Sequence, residues 1–501
     1  MSALEKFRAV TECNYIGGTF AKGVPSTVVV DPATEAVLGH LAEPDVRTID
    51  AAVRLANDAQ RGWWHMGASD RAEKLHQVGR KLRDLAALIG ESMSREMGKP
   101  FREAVWEPGA AANAFDYYAE LAKHDCGRIA GPAVAGQLNM VLKEPLGVVI
   151  CIVPYNFPIL LLAWQAAAAL AAGNSVIIKP SDLTSLTTLI AMNAFDHLPS
   201  GLVQVLTGGS AVGRHLVGHH RTHGVAFTGT VANGQAVARS CAETFKPALI
   251  EASGNDPFIV MPSAPIETVI RGAAYAAFLN CGQVCTSAER FYVHHSVHDA
   301  FVAGLSQIAK RLRIGRGLDP VDMGPLAARR ERDRYEPLIE RAIQQGARVV
   351  AGGGRPSHLN RGWFVEPTVL ADVTSDMEIV NNEPFGPVAP VVRVKNLDEA
   401  ITLANRSRFG LGANIYTCDL KEAMRAVQEI DAGIVWVNTP LNDNDAVPFG
   451  GRKLSGIGRE LGSEGIEQFR QSKMVMIAPE AHSSSEWFPY PDDTPFTGQK
   501  D

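Results

Sequence analysis

Between residues 145 and 178 the chain carries no charged side chain, and the run ends at Lys179. A stretch so apolar crosses a membrane, fills a core or walls a reaction site. A membrane span needs about 18 or more apolar residues in a row, and the length meets that. The interior does not. Pro154, Asn156 and Pro158 stand at its centre, where a spanning helix would lose backbone hydrogen bonds and place an amide in lipid. Broken there, the stretch reads as a β-rich run over 148–153, a loop, and an apolar helix over 159–172. The asparagine in the loop then needs a reason.

Downstream the pattern repeats. Strands are predicted at 148–153, 175–179, 203–207, 224–228, 248–250 and 258–260, with helical composition between most of them. Such alternation specifies a mostly parallel sheet with helices on both faces. Upstream, Ser69 is placed to cap a helix with Leu75, Val78, Leu82, Leu85 and Ile89 on one face, stopped by Gly98 and Pro100. Residues 127–141 alternate loosely among turn residues and predict a β-hairpin. A second α/β block contains a helix after Ser296 with Val297, Phe301, Leu305, Ile308 and Leu312 on one face. Residues 481–501, rich in Ser and Pro, read as an extended tail, and no internal repeat is present.

A chain of 501 residues suggests two to four domains at roughly 150 residues each. Its net charge of -6 gives no reason to expect nucleic acid, and no basic run points to a membrane surface. The opening "MSALEKFRAVTECNYIGG" lacks the apolar core of a secretory signal. Seven cysteines, an odd and sparse number, fit reduced thiols in a cytoplasm better than a disulfide framework.

Several short stretches carry candidate chemistry. In "NCGQVC", Cys285 follows a helix-like run over 266–279 and a permissive glycine. Most cysteines are buried and inert, a reading that suits Cys281, and no His or further Cys completes a metal set. In "IEASGNDP", Glu251 ends a strand beside Ser253 and Gly254, a place for a carboxylate that acts as a general base. "FTGTVANG" follows the strand over 224–228 and opens a helix, so its free amides suit phosphate. The spacing is not Gly-x-Gly-x-x-Gly, and a purely structural turn fits it equally well. Lys179, Ser181 and Asp182 end another strand, where sheets of this kind bind ligands. A surface ion pair is the ordinary alternative. "HHRTH" at 219–223 reads as solvated helix-surface histidines rather than a metal site. No metal is expected.

Taken in order, these motifs resemble the aldehyde dehydrogenase superfamily from about residue 15 to 477, with "PYNFP", "NEPFGPV" at 382–388 and "PFGGRKLSGIGRE" at 448–460 completing the set. The resemblance implies a dinucleotide-binding open-sheet α/β domain (1–126 and 145–253), an α/β catalytic domain (254–455) and a small β oligomerisation extension (127–144 and 456–480). A strand near 473–477 is expected to join the extension across subunits of a homodimer or homotetramer. The implied reaction oxidises an aldehyde to the acid: Cys285 attacks to give a thiohemiacetal, hydride passes to NAD(P)+, and Glu251 activates water to hydrolyse the thioester. Asn156 then supplies an N–H to the aldehyde oxygen, a donor worth about 2.7–4 kcal/mol in such sites.

The implied coenzyme contacts are Ile152, Val153, Pro154, Tyr155, Lys179, Ser181, Asp182, Gly208, Gly213, Phe227, Thr228, Gly229, Thr230, Asn233, Gly234, Glu383 and Phe385. Asp182 stands where many NAD-preferring members have glutamate, so NAD is favoured and NADP stays open. Departures from the family pattern are Ser253 for a glycine, Asn233 for an apolar residue and Tyr155 for tryptophan. The implied substrate pocket holds Trp164, Val284, Thr286 and Asp443. Its loop "TPLNDNDAV" has acidic residues and no basic one, which favours a neutral or cationic small-molecule aldehyde over an anionic one. A coenzyme A-acylating dehydrogenase and a thiol esterase share the nucleophile and are the rival readings, with a non-catalytic binding protein on the same fold behind them.

Overall fold

Two β-sheets divide the apolar strands. The computed structural model describes residues 2–124, 127–481, 484 and 486–490. Five parallel strands form the middle of the first sheet, in the spatial order Val203–Val205, Ser175–Pro180, Val148–Val153, Gly224–Thr228 and Ala248–Glu251. Cys13–Ile16 and Thr19–Lys22 extend one edge antiparallel, and Gly456–Ile457 extends the other. Val148–Val153 is the first parallel strand in sequence yet sits centrally, so the winding reverses beside it. A crevice opens at the carboxyl ends of this strand and of Gly224–Thr228. Side chains alternate across the strand. Val149, Cys151 and Val153 pack with helix Pro158–Ala171, while Val148 and Ile150 pack with residues of Val46–His65 and Ser210–Gly218.

The second sheet runs Arg348–Ala351, Thr368–Ala371, Val388–Val394, Ala288–His294, Asp256–Val260, Asn414–Tyr416 and Trp436–Val437, parallel apart from the first strand. Helix His298–Arg311 buries Phe301 and Leu305 against it, on the face read from the sequence. A separate antiparallel sheet joins Gly127–Ala130, Leu138–Pro145 and Arg470–Ile477 within one chain. The last of these strands pairs with Leu138–Pro145 of its own chain and forms one edge of that sheet. Gly456–Ile457, assigned by sequence to this extension, belongs instead to the first sheet, where it pairs with Ile250 and Glu251.

The predicted helix near Ser69 is two helices, Ala68–Asp84 and Ala86–Met97, broken at Leu85. Ser69 does not cap the first: the position before the helix is Gly67, with no side-chain hydrogen bond. Gly98 does stop the second, at φ 89°. A Cβ there would lie 2.6 Å from Pro325 Cγ, so that turn admits only glycine. Most of the predicted tail lies outside the described residues.

Helix Pro158–Ala171 is buried along its whole length. Among the described residues no helix is long and apolar enough to cross a membrane. A buried helix start leaves amide hydrogens that must find acceptors. Glu107 provides them. Its Oε1 accepts from Ile159 N at 2.8 Å and Leu160 N at 3.2 Å, while Oε2 accepts from Lys99 Nζ at 2.6 Å. Both side chains of the pair are fully buried, and the ammonium lies 3.7 Å from the centre of the Phe157 ring. Removing one partner of such a pair strands a charge at a cost of about 3–5 kcal/mol. Glu107→Gln should lower the unfolding free energy by about that much. Adding Lys99→Met should recover part of the loss in denaturant titrations, and simple addition of the two single losses would contradict this account of the pair.

Candidate functional site

Asn156 lies in the turn between the strand Val148–Val153 and the helix that Glu107 caps, and its side chain is buried. Its Nδ2 donates to Gln283 O at 3.1 Å, and its own carbonyl accepts from Asn280 Nδ2 at 3.1 Å. Asn280 and Cys281 both adopt positive φ, 51° and 58°. Asn280 N donates to Glu103 at 3.0 Å, and Gln283 Nε2 returns a bond to Asn280 O at 3.0 Å. This amide network fixes the loop that carries Cys285. Such backbone strain persists only where the surroundings over-determine it.

Cys285 is the one residue that lines both of two cavities, of about 380 Å³ and about 570 Å³. The smaller cavity brings Cys285 and Glu251 together with Pro154, Tyr155, Asn156, Thr228, Gly229, Thr230, Glu383 and Phe385. The larger brings Cys285 together with Trp164, Val284, Thr286 and Asp443. The remaining predicted coenzyme residues do not line the smaller cavity. Ile152, Val153 and Phe227 stand within the two central strands. Asn233 and Gly234 fall in the first turn of helix Val231–Ala242. Lys179 lies near the end of the neighbouring strand Ser175–Pro180, and Ser181 and Asp182 follow it. Gly208 and Gly213 flank the start of helix Ser210–Gly218, where a Cβ on Gly213 would lie 4.0 Å from Lys179 Cγ.

Gly254 explains a motif glycine physically: a Cβ there would lie 1.9 Å from the carbonyl oxygen of Cys285. The strand end and the loop of Cys285 touch through backbone. Ser253, the departure beside it, is buried with its carbonyl accepting from Ser455 Oγ at 2.8 Å. The next residue's amide, Gly254 N, donates to the Glu383 carboxylate at 3.1 Å.

Burial dominates the electrostatics. The Glu251 carboxyl is pushed well above the usual range by desolvation, then by the charge of Glu460. Its Oε1 has no hydrogen-bond partner among the described residues. Glu383, Glu460 and Asp256 are each raised to about 7, again by desolvation first. The Cys285 thiol keeps some exposure through the two cavities, yet dense protein around it raises its pKa well above the ordinary thiol value, helped by the charge of Glu251. Phe385, at φ 47°, faces Tyr155 edge-on at 6.1 Å, and its N–H donates to Glu289 at 3.0 Å.

The geometry suits a dinucleotide. Thr230 precedes helix Val231–Ala242 without capping it, so amides of the first turn are open toward the smaller cavity, which Val231 and Ala232 also line. The histidines at 219–223 are not a solvated set. His219 is nearly buried against Asp50 at 3.3 Å, and His223 Nδ1 accepts from Val148 N at 2.9 Å. Glu103, Trp106 and Tyr275 line the larger cavity, and Glu331, Arg334 and Arg408 the smaller. Sequence reading missed all six: Tyr275 sits in the helix just before the Cys285 motif, where nothing marks which face meets the cavity, and the other five lie outside the recognised motifs.

A sequence model of the aldehyde dehydrogenase family matches residues 21–475. The chain belongs to the aldehyde dehydrogenase family. It is 35% identical over 464 residues to a chloroplastic aminoaldehyde dehydrogenase of Arabidopsis thaliana, covering 90% of this chain and 92% of that one. Betaine aldehyde dehydrogenase of Staphylococcus aureus in complex with NAD+ superposes with a TM-score of 0.94 at 30% identity, over 97% of this chain and 98% of that one. A 3,6-anhydro-L-galactose dehydrogenase bound to NADP superposes at 0.90 with 34% identity, over 93% and 100%. This aldehyde dehydrogenase oxidises an aldehyde to the carboxylic acid through a cysteine thioester, with NAD(P)+ as coenzyme.

The raised thiol pKa has a direct test in the coenzyme-free protein. Below its pKa a thiol gains thiolate about tenfold per pH unit. Alkylation of Cys285 by iodoacetamide, followed on its own peptide by mass spectrometry, should therefore climb steeply from pH 7 to 9. Glu251→Gln removes the neighbouring negative charge and should shift that climb to lower pH. A rate already level at pH 7 would show that the thiol is ionised in the resting site.

Proposed function

We propose that Cys285 is the nucleophile, Glu251 the deacylation base and Asn156 the donor to the aldehyde oxygen, and that the aldehyde is cationic. One observation carries the assignment: Cys285 alone lines both cavities, so coenzyme and aldehyde reach it from opposite sides. The first-turn amides after Thr230, with Glu383 and Phe385, hold the coenzyme. Bound NAD(P)+ supplies the hydride acceptor that converts the thiohemiacetal into a thioester. The Asn156 amide has two N–H groups and spends one on Gln283 O, leaving one for the oxygen of the attacked carbonyl. Glu251 has an unpartnered oxygen, and its raised pKa makes the ionised carboxylate a stronger base toward water than an ordinary one.

The substrate class follows from the larger cavity. Trp106, Trp164, Tyr275 and Phe449 present aromatic rings, and Glu103 and Asp443 present carboxylates. Asp322, the third acid, is already bound bidentate by Arg313. The one basic side chain in the lining, Arg102, is exposed. Rings and carboxylates together attract ammonium and trimethylammonium groups. The names of the aminoaldehyde and betaine aldehyde relatives agree with this reading.

A homodimer or homotetramer is part of the proposal, supported by the exposed apolar side chains of Ile129, Leu142, Met474 and Met476 on the three-stranded sheet. So is a cytoplasmic setting, supported by the buried free thiols of Cys13, Cys151, Cys241 and Cys281.

Glu251→Gln should let attack and hydride transfer proceed but stall hydrolysis. With excess aldehyde and coenzyme it should release about one reduced coenzyme per site and then nearly stop, leaving an acyl adduct on Cys285 visible in intact-protein mass spectra. Cys285→Ser should abolish oxidation, and Cys281→Ser should leave most of it. Full steady turnover by Glu251→Gln would remove Glu251 from the deacylation step.

Burial, then the charge of Asp445, pushes Asp443 up to about 6, and burial pushes Glu103 up to about 7. Both carboxyls are neutral below those values and charged above them. KM for an ω-aminoaldehyde should therefore fall as pH rises from 5.5 to 8, while KM for a neutral aldehyde of equal length stays level. Asp443→Asn should raise KM for the cation by about tenfold, the scale of one charge pair near a protein surface. Preference for a carboxy-aldehyde would overturn the cationic reading without touching the assignment of Cys285.

A further inference from the structure

Asp182 lies just beyond the strand Ser175–Pro180, beside the buried Lys179, in the position where the family resemblance places the adenosine ribose. A free carboxylate there accepts hydrogen bonds from ribose hydroxyls and repels a phosphate. This carboxylate is not free. Oδ2 accepts from Arg330 Nη1 at 2.9 Å and Oδ1 from Arg330 Nη2 at 3.0 Å, and Ser181 Oγ donates to Oδ1 at 3.2 Å. Desolvation opposes ionisation of Asp182, but these bonds outweigh it and hold the carboxyl below its usual range.

Arg330 comes from outside the coenzyme sheet. It is the second residue of helix Arg329–Gln344, whose Tyr335, Leu338, Ile339 and Ala342 pack in the core of the second sheet. Its side chain is more than half exposed, so the guanidinium can move without unpacking anything. The charged and titratable groups around it are Asp182, Glu331 at 3.6 Å, Tyr155 of the coenzyme cavity and, beyond Asp182, Lys179. Glu43 adds its charge beside Lys179, so what opens this corner to a phosphate is the bidentate masking of Asp182 rather than its net charge. The planar fork that now grips a carboxylate bidentately matches phosphate oxygens in the same way.

We propose that Arg330 is a coenzyme-selecting residue: it masks Asp182 and offers its guanidinium to a 2′-phosphate, so that this aldehyde dehydrogenase binds NADP+ as well as NAD+. The 2′-phosphate takes the place of the Asp182 carboxylate on the fork, and Asp182 turns to solvent or to Ser181. Discrimination at the ribose end is then set by a residue of the other half of the molecule. Asp182 alone does not decide it.

The test is calorimetric titration of the coenzyme-free protein with two fragments, 2′,5′-ADP and 5′-AMP, which differ in the 2′-phosphate. Wild-type protein should bind 2′,5′-ADP at least as tightly as 5′-AMP. Arg330→Gln should weaken 2′,5′-ADP by about tenfold or more while moving 5′-AMP by less than about twofold, the contrast expected on losing one charge-assisted bidentate contact. Arg330→Lys, which keeps the charge but loses the fork, should fall between them. Asp182→Asn should strengthen 2′,5′-ADP, and Arg330→Gln should erase that gain in the double variant. Equal weakening of both fragments by Arg330→Gln, as a merely structural ion pair would give, overturns the proposal. Unchanged 2′,5′-ADP binding in that variant, or a wild-type protein that binds only 5′-AMP, overturns it too.

Discussion

The carboxylate of Glu107 is what allows the apolar stretch to be a protein interior. Helix Pro158–Ala171 begins in the core, where its first amides are out of reach of water, and one oxygen of Glu107 accepts two of them. That carboxylate is itself buried and is affordable only because Lys99 meets its other oxygen. Lys99 in turn sits directly after the left-handed turn at Gly98, between helices Ala86–Met97 and Phe101–Leu121. The chain thus ties the end of one helix to the start of another, and the turn bearing Asn156 inherits its place from that tie. An amide that must meet a carbonyl oxygen within tenths of an ångström needs such a support.

The site around Cys285 runs against the usual activation of a thiol. Reactive cysteines generally sit beside positive charge or a helix start, which lowers their pKa. Here the neighbours are carboxyls, and burial works in the same direction. Attack on a carbonyl therefore requires the proton to leave as the bond forms. Glu251, which lines the same cavity with an unpartnered oxygen and a raised pKa, is the acceptor in the role proposed above. The same burial keeps Glu383, Glu460 and Asp256 near 7 rather than fully charged. Desolvation comes first in all three, with the charge of Glu331 adding to it at Glu383 and that of Glu383 at Asp256.

The fold was legible where the physics is local. β-Branched runs gave the strands of the first sheet, their alternation with helices gave its parallel sense, and Gly98 gave a helix end. The motif order led to Cys285, Glu251 and Asn156, which the structure brings to one place, and to Trp164 and Asp443 on the far side of the thiol. Illegible features depend on partners distant in sequence. Lys99 and Glu107 look like ordinary charges on a helical stretch until the start of helix Pro158–Ala171 is seen against them. Asp182 and Arg330 are 148 residues apart, and nothing in either stretch announces the other. Ser69 failed as a cap because the helix starts two residues earlier, at Ala68, and Gly456–Ile457 joined a different sheet because its pairing strand is set by tertiary contact.

The two halves of the molecule share the work at Cys285, and that division explains why contacts between them carry function. The first sheet supplies Glu251, Asn156 and the helix start open to phosphate. The second half supplies Cys285, Glu383 and Phe385. Gly254 lets the backbone of one half approach the carbonyl of Cys285 so closely that no side chain fits between. At the far end of the coenzyme crevice the halves meet again through Asp182 and Arg330, this time by charge. The contact at the thiol is rigid backbone packing, as a reaction that depends on tenths of an ångström requires. The contact at Asp182 is an ion pair whose guanidinium side is more than half exposed, and such a pair exchanges partners at little cost. The roles proposed above thus place chemistry where the halves touch closely and coenzyme choice where they touch loosely.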